Sequence, residues 1–278
     1  MDNFSATPLP APASDAPIAA PLSACFDEHG RCQPEGIDGA HQRTRRHFVC
    51  SQPAINYPEI HARIGRQLDA PGTPALTAHA FEQRAEAILA RLRADPQTAA
   101  ITLGAHVPFY LPQAVHDDIG QALDARYLPA VGAAFQSRFP DYSFVNHHKA
   151  GLSGKLSIAR DSRHQRLLQA MAGETVVGYY FPCLLEYSLP AARQQVQEMP
   201  EHFLLAGGFD TCAAFIGSPD LLLKHDAYPP LLWLSALEAE QPGIGYHFEA
   251  YGYNLTFNRR AHLGQVAEYW ASGLVVLG

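Results

Sequence analysis

Residues 245–258 read GYHFEAYGYNLTFN, and His247 lies two positions from Glu249 in a run with period-two character. Alternate side chains of a strand share one face. His247 and Glu249 therefore point the same way, with Tyr251 and Tyr253 continuing that face as an aromatic wall. An imidazole beside a carboxylate supports two kinds of chemistry. It can move a proton, with His247 or Glu249 as general acid or base. It can also hold a divalent metal as part of a facial set, with the remaining ligand drawn from His147, His148, His106 or Asp210. A mixed polar sheet face with no chemistry is the third reading.

A second stretch, SFVNHHKAGLSGK at 143–155, gathers His147, His148, Lys149, Gly151, Ser153, Gly154 and Lys155. Lysine is otherwise confined to Lys224, so two of the chain's ammonium groups fall in this one loop. Glycines let backbone N–H groups converge on an anion, and Lys149 and Lys155 add charge. The spacing is neither that of a P-loop nor that of a nucleophile elbow. The expected site joins both stretches. His247, Glu249 and His148 serve acid–base chemistry. Lys149, Ser153, Lys155, Tyr251 and Tyr253 bind a small anionic substrate, and His147, His247 and Glu249 are the ligands if a divalent metal is bound.

Other residues carry weaker signals. Cys25, His29, Cys32, His47 and Cys50 could form a structural zinc knot, but no C-x2-C pair is present. Cys183 and Cys212 sit in apolar runs and read as inert thiols, unless the fold brings His106 or His202 beside one of them. Asp210, in GGFD, reads as a cap for the helix that follows. His116, Asp117 and Asp118 read as structural, because acidic groups in a first turn favour the helix dipole. The basic run RTRR at 43–46 reads as solvated surface.

These residues need elements to place them. Residues 57–68 and 77–94 read as amphipathic helices, Gln113 to Arg138 as a long helix divided at Pro129, and 162–172, 190–199 and 260–272 as further helices. Residues 99–112 read as a buried strand and then a loop, and 175–188, 245–258 and the terminal LVVL read as strands. Helices and strands alternate from residue 99 onward, which predicts an α/β or mixed α+β fold with helices packed on a central mixed sheet. The expected organisation is a Pro/Ala-rich tail over 1–24, a helical region over 25–96 and a sheet-containing body over 97–278.

Composition sets the class. The chain has 278 residues, 47% hydrophobic, with a net charge of −7. That balance does not suit electrostatic tracking of nucleic acid, and no apolar run is long enough for a membrane span. The five cysteines are odd in number, and their spacing is not that of a secreted disulfide scaffold, which points to a reducing, cytoplasmic setting. The 14 histidines favour a histidine-centred site. Taken together, the expectation is a soluble enzyme of small-molecule biosynthesis using His/Glu acid–base chemistry, with or without a metal. The alternatives are a metal-free transferase or lyase in the same pocket, and a non-enzymatic interaction protein or secreted effector. Oligomeric state stays open.

Overall fold

The computed structural model describes residues 25–44, 48–70 and 76–278. The expected tail at 1–24, and Arg45, Arg46 and His47 of the basic run and the zinc knot, lie outside them. Two helices come first. In α1 (Tyr57–Leu68) the Asn56 side chain accepts the Glu59 N–H, and Tyr57, Ile60, Ile64 and Leu68 are buried. In α2 (Ala78–Ala94) Thr77 is the cap, and Phe81, Ala85, Ile88 and Leu92 lie on the buried stripe. A short helical turn at Ala99–Leu103 leads into β1 (Val107–Leu111). Then come α3 (Ile119–Ala122), a wide turn at Leu123–Tyr127, and α4 (Leu128–Arg138).

The remainder alternates short strands with helices. In chain order these are β2 (Phe144–Asn146), β3 (Leu156–Ile158), α5 (Gln165–Gly173), β4 (Val176–Leu185), α6 (Leu189–Glu198), β5 (Phe203–Leu205) and α7 (Gly208–Gly217). They are followed by β6 (Leu231–Trp233), β7 (Leu237–Ala239), β8 (Ile244–Tyr251), β9 (Asn254–Ala261) and β10 (Trp270–Leu277). Among the described residues an eight-stranded sheet runs β1-β4-β10-β6-β8-β9-β2, with β5 pairing to β10, while β3 and β7 form a separate pair. The sheet is mixed, with β10–β6 and β2–β9 parallel and the other pairs antiparallel. With helices packed on it, the fold is α/β as predicted. No helix of the described residues is long and apolar enough to cross a membrane.

One large apolar cluster joins the elements. Ile60, Ile64, Phe81 and Leu92 from the first two helices meet Val131 and Phe135 of α4, Tyr180 and Phe181 of β4, Phe215 of α7 and Phe248 of β8. A smaller cluster of Leu189, Leu231, Trp233 and Trp270 covers the opposite face of the sheet. Trp233 pairs with His247, and Leu232 with Phe248. Alternation therefore sends Phe248 into the large core and His247 toward the two tryptophans.

The structure corrects five spans. Residues 99–112 open with the helical turn Ala99–Leu103, and the strand follows it only at Val107–Leu111. Residues 245–258 are not one strand but the hairpin β8–β9, closed by a two-residue turn in which Gly252 has φ +61°, a conformation that suits glycine. Helix does not begin at Gln113. It begins at Ile119, where the Asp118 side chain accepts the Gln121 N–H and stops the helix from extending backwards. The predicted helix over 260–272 is the end of β9, a connection and the start of β10, because the terminal strand takes in Trp270 and pairs with both β4 and β6. Finally, α5 starts at Gln165, not residue 162, and Asp161 lies in a separate short turn.

Candidate functional site

The fold brings His247 and Glu249 together. Nε2 lies 3.4 Å from the Glu249 carboxylate, and Trp233 packs edge-on against the imidazole with ring centroids 4.9 Å apart. His247 is fully buried, and burial lowers its pKa so that the ring is neutral. Its Nδ1 has no hydrogen-bond partner among the described residues. The His247 hydrogen bond, with Arg260 3.5 Å away, holds the Glu249 carboxyl below its usual range. Arg260 also donates to the Tyr269 hydroxyl at 2.6 Å. The pair therefore belongs to a chain of contacts ending on Tyr269.

The other predicted residues do not join it. His148 packs edge-on against Tyr246, on the opposite face of β8. His147 is exposed, with its N–H on the Phe257 carbonyl. Tyr251 stands 79% exposed at the hairpin tip. Tyr253 sits in the turn rather than on the His247 face, and packs against Tyr142 and His225. Among the described residues no three His, Cys, Asp or Glu side chains come together to hold a metal.

The loop at 147–155 does bind anions, but they belong to the protein itself. The Asp118 carboxylate accepts the Gly154 N–H at 2.7 Å and the Ser153 hydroxyl at 3.0 Å. The Gln121 N–H bond, and after it these two, hold its pKa down. The Asp124 carboxylate accepts the Leu152 N–H. Lys155 donates to the Ala150 and Gly151 carbonyls, and His148 Nε2 lies 2.9 Å from Gly151 O. Lys149 points to solvent. The Leu152 and Gly154 N–H groups and the Ser153 hydroxyl thus fasten the loop to Asp124 and Asp118, and the ammonium of Lys155 bonds within the loop itself.

A histidine–carboxylate pair that sequence reasoning did not find has tighter geometry. Glu186 follows β4 in the left-handed region at φ +60°, costly for a residue with a side chain. Its side chain is 0% exposed, and one carboxylate oxygen lies 2.6 Å from Nδ1 of His41, whose side chain is 45% exposed. An ionised carboxylate can only accept, so beside one the His41 ring donates from Nδ1. The other Glu186 oxygen is buried without a hydrogen-bond partner among the described residues. Backbone bonds clamp the pair, from His41 N–H to Glu186 O at 3.1 Å and from Glu186 N–H to Trp270 O at 2.8 Å. Arg31, 3% exposed, donates to the carbonyls of His41, Gln42 and Leu185. Its guanidinium thus ends on backbone oxygens rather than on a carboxylate.

Arg31 and Leu185 also line a cleft of about 530 Å³, with Val49, Cys50, His106 and Cys183 among its other walls. His106 is fixed from several sides. The Gln52 amide bonds both its N–H and its carbonyl at 2.9 Å, the ring stacks on Phe181, and Nδ1 lies 2.8 Å from Gly104 O. Burial lowers its pKa, so a neutral imidazole faces the cleft, and its Nε2 has no partner among the described residues. The fold thus sets His106 and Cys183 on one cleft, as a cysteine nucleophile would need. Burial, however, pushes the Cys183 thiol well up and Cys50 up to about 12, and neither is a thiolate at neutral pH. No zinc-knot cluster forms among the described residues: Cys32 lies against the Met199 sulfur at 4.0 Å and Cys50 lines the cleft.

No family model matches the chain, and comparison with curated proteins and with solved structures returns no match. The one sequence signal for the pair was Glu186 itself, the single charge in the apolar run 175–188. Nothing in DGAHQR marks His41.

Proposed function

We propose that the protein is an enzyme that moves a proton on a small, largely apolar molecule bearing one anionic group, with His41 and Glu186 as its acid–base pair and the adjoining cleft as its binding site. The observation that carries this is the 2.6 Å contact between a sealed carboxylate, held at φ +60°, and a half-exposed imidazole. Glu186 fixes the tautomer that leaves Nε2 free. It also stabilises the charge that develops on the ring as Nε2 takes a proton, the role a buried carboxylate plays behind a catalytic histidine. The apolar walls supply most of the binding. Arg31, whose N–H groups are held by backbone carbonyls, attracts the anionic group through its charge alone, and the neutral Nε2 of His106 accepts one hydrogen bond. The five cysteines are unpaired, in keeping with action in the reducing cytoplasm.

The test needs no known substrate. Diethyl pyrocarbonate acylates the free nitrogen of an imidazole, and peptide mass spectrometry reads the rate at each histidine. His41 is expected to react faster than exposed His147, and Glu186→Gln to slow it by about tenfold or more, the worth of one hydrogen bond to a charged group. Equal rates at His41 and His147, with no effect of Glu186→Gln, would remove the basis of the assignment.

A further inference from the structure

A second cleft, of about 340 Å³, runs between α1 and α4, and Arg63, Arg66, Gln67, Ser137, Arg138 and Glu59 line it. Three guanidinium groups face one carboxylate, which leaves the groove doubly positive on a chain of net charge −7. Arg63 is partly engaged, donating to Gly217 O at 2.8 Å and lying 3.4 Å from Glu59. Arg66 makes no hydrogen bond or ion pair among the described residues. Arg138 lies over the ring of its neighbour Phe139 and makes no hydrogen bond or ion pair among the described residues. Arg66 and Arg138 each occupy the last turn of a helix, where a cation offsets the helix dipole. At α1 that need is already met, because Arg126 donates to Leu68 O at the helix end. The free guanidinium of Arg66 is therefore surplus to capping.

We propose that this groove binds the phosphoryl group of a small, soluble phosphomonoester. Two guanidinium forks with no hydrogen bond or ion pair among the described residues line it, and each presents paired N–H donors that match phosphate oxygens. A dianion neutralises the groove where a lone carboxylate would leave one charge over. Ser137 and Gln67 add neutral donors, and the volume leaves room for a short carbon skeleton beside the phosphoryl group. The site is independent of the cleft beside His41.

Calorimetric titration of the full chain with glycerol 3-phosphate, at ionic strength matched with chloride, tests the proposal. Inorganic phosphate and flotation with phosphatidic acid vesicles serve as parallel arms. The expected result is one-to-one binding of glycerol 3-phosphate, weakened about tenfold or more by Arg66→Gln and by Arg138→Gln, both exposed positions that should leave folding intact. Weaker but measurable binding of inorganic phosphate, lost in the same variants, would agree. Absence of binding, binding unchanged in both variants, or binding to vesicles alone would overturn it.

Discussion

Gly120 decides whether the loop at 147–155 can lie against α3, and replacing it tests that contact. A Cβ built on Gly120 would overlap the Leu152 carbonyl oxygen and lie 2.5 Å from the Leu152 carbonyl carbon. In a helix, alanine is favoured over glycine by about 1 kcal/mol, so propensity alone makes Gly120→Ala stabilising. The obstacle is backbone, however, and no rotamer change relieves it. The loop would have to retreat, although Leu152 is fully buried and its N–H is held by Asp124. Overpacking of this kind costs about 1–3 kcal/mol, and the lost hydrogen bond adds about 1 kcal/mol. The net expectation is a destabilisation of about 2 kcal/mol, or a fall in Tm of roughly 4–8 °C for a domain of this size. Gly173, at the end of α5, is the control. Nothing lies within 4 Å of a Cβ there, so Gly173→Ala should gain about 0.4–1 kcal/mol. Urea unfolding followed by tryptophan fluorescence reads both. A Gly120→Ala variant as stable as wild type would refute the packing of this loop.

Two further outcomes follow from burial. His247 has its pKa lowered from 6.5, so as pH falls the unfolded chain takes up the proton first. The associated stability is present above about pH 6.5 and is lost below it. His247→Phe should flatten the decline in stability between about pH 7 and about pH 5, and identical slopes in urea titrations would count against a buried neutral ring. Among the thiols, Cys32 and Cys50 are pushed up to about 12 by burial, and Cys183 and Cys212 rise well above their ordinary value. Iodoacetamide near neutral pH should therefore label the folded chain chiefly at half-buried Cys25. Rapid alkylation of Cys50 or Cys183 without denaturant would instead point to a thiolate in the cleft.

Much of the scaffold was legible because its signals are local. The apolar stripes over 57–68 and 77–94 mark α1 and α2, and the unbroken apolar run at 176–185 marks a strand buried on both faces. Asp210 caps α7 as read, accepting the Gly207 N–H. Signals failed where a single residue reset the pattern, as Gly252 does at the hairpin and Asp118 does before α3. The candidate site was legible only in part for a different reason. His247 and Glu249 are two residues apart, and strand geometry joins them. His41 and Glu186 are 145 residues apart, and they meet through an isolated bridge between Ala40 and Tyr187. No periodicity reports such a contact. In the same way, the donors of the loop at 147–155 looked available because their partners, Asp118 and Asp124, come from an element about thirty residues earlier.

The central claim is that the His41–Glu186 pair serves the cleft beside it, and ligand protection tests this most directly. The chain would be saturated with 4-phenylbutyrate, an apolar anion, with occupancy confirmed by chemical-shift changes at His106 and Cys50. Acylation of each histidine by diethyl pyrocarbonate would then be followed by mass spectrometry. The account predicts that His41 is protected while His147 is not, and that protection disappears in Cys50→Trp, where the indole fills the cleft. Unchanged acylation of His41 with the cleft occupied would contradict it, because the pair would then face solvent with no connection to a binding site.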